Sequence, residues 1–158
     1  MRRVLLDWII EVHNKLKLKP RILYLTQYLI DRYLAVTNVV RNELQLIAVT
    51  SMYIALKCEE NVGITASVIV GIADGAFSLE QMKEMEINLL NELNFPIMDP
   101  NIFDFLNIWR TQFPLNPEQV NLAYFFADCT ILNYHLCVTE LPSHIAAAAI
   151  RLAIKLTS

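Results

Sequence analysis

Proline decides most of what this chain can become. Six prolines stand at positions 20, 96, 100, 114, 117 and 142. Proline is expelled from helix interiors, because it has no amide donor and its ring clashes with the preceding turn. Between these breaks the apolar residues recur at helical spacing, and no stretch sustains a period of two. The spacing predicts a first helix over about 1–17, a second from Arg21 to Val36 and a third from Arg41 to Cys58, with Asn38 as a stop before it. A short fourth runs from Thr65 to Ile72. Ser78 followed by Gln81 reads as a capping box that opens a fifth helix to about Leu93. A sixth runs from Asn101 to Gln112 and a seventh from Glu118 to about Asn133. Pro142 stands in the first turn of an eighth, ending near Leu156. The expected fold class is all-α.

The third and eighth helices are apolar on nearly every side, as Ile47, Ala48, Val49, Met52, Ile54 and Ala55 and then Ile145, Ala146, Ala149, Ile150 and Ala153 illustrate. Such helices are expected to be surrounded by others. They also match each other. Ile47-Ala48 aligns with Ile145-Ala146, and Ile54-Ala55-Leu56-Lys57 with Leu152-Ala153-Ile154-Lys155, at an offset of about 98 residues. Leu25 and Asp31 align with Leu122 and Asp128 at 97. Either two alanine- and isoleucine-rich helices coincide, or one helical unit is repeated. A repeat makes the first copy five helices long and stops the second after three.

Composition removes several classes. With 55% apolar and 18% charged residues and a mean hydropathy of +0.38, the 158 residues can build a core and are not disordered. The run from Ile145 to Ile150 is broken by Arg151, far short of the roughly 20 apolar residues a bilayer demands, so no membrane association is expected. No charged-then-apolar leader precedes a cleavage site, and no secretory signal is expected. Gly63, Gly71 and Gly75 do not form a nucleotide-binding fingerprint. A net charge of −3 and a pI of about 5.6 argue against nucleic acid. The one basic run, Lys15, Lys17, Lys19 and Arg21, reads as a solvated loop. Three cysteines, Cys58, Cys129 and Cys137, suggest a reducing compartment rather than a disulfide framework. Cys129, His135, Cys137 and His144 share one stretch but lack zinc-site spacing, so neither metal nor cofactor is expected.

Three ionisable residues interrupt apolar faces: Glu86 within Met82, Met85, Leu89, Leu90 and Leu93, Asp31 between Ile30 and Leu34, and Lys57 at the end of the third helix. A charge withdrawn from water needs a partner. Lys57 can complement a helix C-terminus, and Asp31 can pair structurally, with Arg2 a candidate. Glu86 admits a structural or a functional reading. No catalytic motif supports an enzyme. Glu59 and Glu60 read as the solvated start of a loop. On the first helix, Met1, Leu5 and Trp8 form one face that Glu11 extends with an acid. That face is either core or a seat for a peptide carrying an apolar and a basic residue.

Met1-Arg2-Arg3-Val4-Leu5-Leu6-Asp7-Trp8 resembles the MRAIL-type segment that opens the cyclin box of A- and B-type cyclins. Leu29 to Leu34 resembles that family's second helix. Leu44-Gln45-Leu46 with Ala55 to Glu60 resembles its third, Met85-Glu86 with Leu93-Asn94-Phe95 its fifth, and Leu141-Pro142-Ser143 with the alanine run the third helix of the second box. The resemblance covers nearly the whole chain in order. It implies two tandem five-helix cyclin folds, residues 1–95 and 96–158, the second incomplete. It also implies a non-enzymatic mitotic regulator, present in nucleus and cytoplasm, whose partner is a cyclin-dependent kinase.

By that resemblance Lys57 and Glu86 contact the kinase, with Cys58, Leu90, Phe95 and Ile97 around them. Arg2 and Asp31 match an internal ion pair. Met1, Val4, Leu5, Trp8, Glu11, Arg41, Leu44 and Gln45 match the groove that docks RxL-motif substrates or inhibitors. The chain departs from the family where Cys58 replaces an aromatic and where Val62-Gly63-Ile64 replaces Tyr-Pro-Pro. It also opens without the helix that precedes the MRAIL segment. The competing readings are a transcription-type cyclin fold that binds DNA, as in transcription factor IIB, a metal-dependent enzyme, and a truncated cyclin that does not activate a kinase.

Overall fold

Short polar side chains start several of the helices by satisfying amides that a helix leaves unpaired. Ser78 Oγ accepts from the Gln81 amide at 3.2 Å, and Gln81 Oε1 accepts in return from the Ser78 amide at 2.7 Å. Asn101 Oδ1 accepts from the Phe103 and Asp104 amides, and Asn116 Oδ1 from the Gln119 amide at 2.9 Å. Pro20, Pro117 and Pro142 each stand in the first turn of a helix, where the missing donor costs nothing.

The computed structural model describes residues 1–59, 63–95 and 99–157. Among them lie nine α-helices: α1 (Arg2–Lys15), α2 (Pro20–Val36), α3 (Leu44–Cys58), α4 (Ala66–Ile72), α5 (Leu79–Glu92), α6 (Ile102–Gln112), α7 (Pro117–Ile131), α8 (Tyr134–Thr139) and α9 (Pro142–Leu156). No strand occurs among the described residues, so the all-α expectation holds. α1 ends two residues early, where Lys17 takes a positive φ of 52°. The predicted third helix begins as a 3-10 turn, Arg41–Glu43. α8 is an addition. Asn133 leaves helical geometry, and its Oδ1 accepts from the Leu136 amide, so one turn closes separately from α7.

The chain forms two compact units, one of residues 7–99 and one of residues 1–6 with 100–158. In the first, α3 is the central helix, packed on α2, α4 and α5. Nine of its residues, from Ile47 to Leu56, are buried. Ile22, Leu25, Leu29, Ile69, Met82 and Leu89 close around them. Each fully buried side chain of this size contributes about 1.5–3 kcal/mol of transfer free energy. In the second unit α9 packs on α6 and α7. Its core is leaner, built on Ile102, Leu106, Ile131, Ile145, Ile150 and five buried alanines: Ala123, Ala127, Ala146, Ala149 and Ala153. α9 was expected to be enclosed like α3, yet one side of it is open. An apolar groove of about 370 Å³ runs there between α7, α8 and α9, lined by Phe126, Thr130, Leu136, Ile145, Ala148 and Leu152, with Glu140 and His144 among the wall residues.

Candidate functional site

The end of α3 and the middle of α5 carry the charges that the apolar pattern could not absorb. Packing of α5 on α3 brings Lys57 and Glu86 together, and Lys57 Nζ donates to Glu86 Oε1 in an ion pair. The Glu86 side chain is 14% exposed, so it needs that partner. The Lys57 side chain is 48% exposed and stays open to another molecule. An ion pair this open adds roughly 0–1 kcal/mol to stability. Burial of the lysine stem holds its pKa below the ordinary 10.5, partly offset by Cys58. The ring of Tyr53, one turn earlier on α3, lies 4.8 Å from Lys57 Nζ.

Around this pair, Cys58 and Leu90 are half-buried. Burial, then the neighbouring Glu59, push the Cys58 thiol up, against opposing effects of Lys57 and Arg21. Phe95 is 60% exposed, on a turn where it and Asn94 both have positive φ. Ile97 falls outside the described residues. Arg21, the expected first residue of the second helix, and Glu59 correct the sequence reading in one respect, because it took both charges as solvated. Arg21 lies in α2, and its Nη1 donates to Glu59 Oε1, with the two side chains only 19% and 15% exposed. Glu60 lies outside the described residues. Sequence reasoning also missed Tyr53, although its four-residue spacing from Lys57 on one helix face was the signal available.

The remaining candidates can be placed singly. Along α1, Met1 and Val4 are 67% and 74% exposed, Leu5 and Trp8 are half-buried and Glu11 is exposed. Arg41 is exposed in the 3-10 turn, and Leu44 and Gln45 are half-buried at the start of α3. Arg2 Nη1 donates to the Ile131 carbonyl at 3.0 Å, and its guanidinium lies over the Tyr134 ring at 5.4 Å. Asp31 is half-buried and accepts from Gln27 Nε2. Among the described residues no three His, Cys, Asp or Glu side chains gather as a metal site. Cys129 and His135 are exposed, Cys137 Sγ donates to the Thr130 carbonyl, and His144 lies 3.7 Å from Glu140. No described helix is long and apolar enough to cross a membrane.

This architecture superimposes on the solved viral cyclin of herpesvirus saimiri with a TM-score of 0.86, over 99% of this chain and 70% of that one, at 19% identity. At that identity the likeness defines the fold, which is the cyclin fold. The sequence goes further. Residues 1–98 match the family model "Cyclin, N-terminal domain" and residues 100–158 match "Cyclin, C-terminal domain". The chain belongs to the cyclin family. It is 39% identical over 155 residues to Cyclin-B1-1 of Oryza sativa subsp. japonica, and 40% identical over 156 residues to the G2/mitotic-specific cyclin-B of Hydra vulgaris. These alignments take in 95% and 99% of this chain but 34% and 43% of the relatives. The chain therefore spans a third to two-fifths of the length of these curated relatives.

Proposed function

We propose that this chain is the core of a mitotic-type cyclin, a regulatory subunit without catalysis of its own that binds a cyclin-dependent kinase and favours its active conformation. The observation that carries the reading is the half-open Lys57–Glu86 pair that joins α3 and α5, with Phe95 exposed on the turn that follows α5. Interfaces draw their energy from a few aromatic and charged anchors with apolar surroundings. Cys58 and Leu90 supply such surroundings here. A ligand shifts an equilibrium only by its differential affinity for the two states. The kinase therefore changes conformation to the extent that this face fits its active form better.

Substrate recruitment falls to the face of α1 carrying Met1, Val4, Leu5, Trp8 and Glu11, with Arg41, Leu44 and Gln45 beside it in the family pattern. The exposure of Met1 and Val4 supports this, since a helix side chain held in a core would be covered. Replacing Lys57 and Glu86 together by alanine should abolish co-purification with the kinase, and persistent binding would place the interface elsewhere. Trp8→Ala should weaken an RxL peptide roughly tenfold or more while sparing the kinase. Loss of both partners would indicate a fold defect.

A further inference from the structure

A lysine head on a flexible stem samples many rotamers, and all but one must be abandoned when a partner closes on it. In this chain the Lys57 head is held before any partner arrives. Glu86 reaches it from α5, and the Tyr53 ring lies 4.8 Å from Nζ on α3 itself. A cation over an aromatic face is attracted by the ring quadrupole within about 6 Å of the centroid. The two restraints come from different helices, so they fix the direction of the stem as well as the position of the charge. Tyr53 is half-buried, which keeps its ring from swinging free.

We propose that Tyr53 is a positioning residue for the kinase contact. Its ring holds the Lys57 ammonium in the orientation the kinase meets, and it acts through Lys57. This rests on the kinase-contact reading above. The ring supplies the attraction, so phenylalanine should replace tyrosine and leucine should not.

The test has one arm that needs no kinase. In ¹³C-resolved NMR spectra of the full chain, the Lys57 Cε and Hε resonances should be displaced by the aromatic ring current. The displacement should persist in Tyr53→Phe and vanish in Tyr53→Leu, with the fold checked by circular dichroism. An unchanged Lys57 resonance in Tyr53→Leu overturns the proposal. The second arm measures affinity for a purified recombinant mitotic cyclin-dependent kinase by calorimetry. Tyr53→Leu should weaken binding about three- to fivefold. Tyr53→Phe should stay within about twofold, and Tyr53→Leu should add nothing in a Lys57→Ala background. An equal loss in both backgrounds overturns the positioning role while leaving the kinase contact intact. If Lys57→Ala alone leaves kinase affinity unchanged, the kinase-contact reading itself falls, and the positioning role with it.

Discussion

Ile54 of α3 is 2% exposed, and Leu152, its counterpart on α9, is 47% exposed. Thr50 is fully buried, and Ala148, which matches it, is exposed. Yet Ala55 and Ala153 are both fully buried, as are Ala48 and Ala146. The two helices thus agree on one side and disagree on the other. The side on which they agree packs in both units. On the other, α3 has α4 and α5 against it, and α9 has the open groove. An apolar residue is buried by what its neighbours bring, and the pattern on a single helix records only readiness for burial.

The comparison is sharpest where the two helices should answer differently to one substitution. Ile54→Ala should cost about 3 kcal/mol in urea unfolding, because it empties a closed core. Leu152→Ala should stay within about 0.5 kcal/mol, because water already reaches the site. Equal costs would mean that the groove is closed in solution. Next in size is a stabilising change. The hydroxyls of Thr50 and Ser51 are buried in α3 with no hydrogen-bond partner among the described residues. α9 carries Ala149 where α3 has Ser51. Ser51→Ala should therefore raise stability by about 1 kcal/mol, read as a higher urea midpoint at unchanged slope. A loss of stability would reveal a partner for that hydroxyl.

The smallest effect is chemical. Thiolate is the reactive form of cysteine, and burial holds the Cys58 pKa above its ordinary 9.0. At about pH 8 a smaller share of Cys58 is ionised than of an unburied thiol, and the share rises with pH. A thiol reagent should label exposed Cys129 of the second unit several-fold faster than Cys58, with the gap narrowing as pH rises. Mass spectrometry of a timed reaction would read this. Faster labelling of Cys58 would reverse the assigned exposures.

What could be read in advance follows the range of the forces involved. The Ser78 box joins residues three apart, and the prolines act on their own turns, so most helix limits were legible. α8 was missed because six residues carry too short a pattern, although Asn133 gave a capping signal. The Arg21–Glu59 pair joins residues 38 apart, and nothing local marks either as other than a solvated charge. At the candidate site, Lys57 and Glu86 stood out because they broke apolar stripes. Their meeting across 29 residues needed the packing of α5 on α3, and the place of Tyr53 needed side-chain geometry.

The turn after α5 has a further consequence. Asn94 and Phe95 hold φ of 54° and 28°, a region that costs residues with side chains about 1–3 kcal/mol each. Phe95 meets that cost while the residue stays 60% exposed. Screening variants for heat resistance would therefore select glycine at 94 or 95. At 94 the gain should come without harm, whereas at 95 it would remove the aromatic proposed above as a kinase contact. Thermostability and partner affinity would then evolve in opposite directions at one residue and independently at its neighbour.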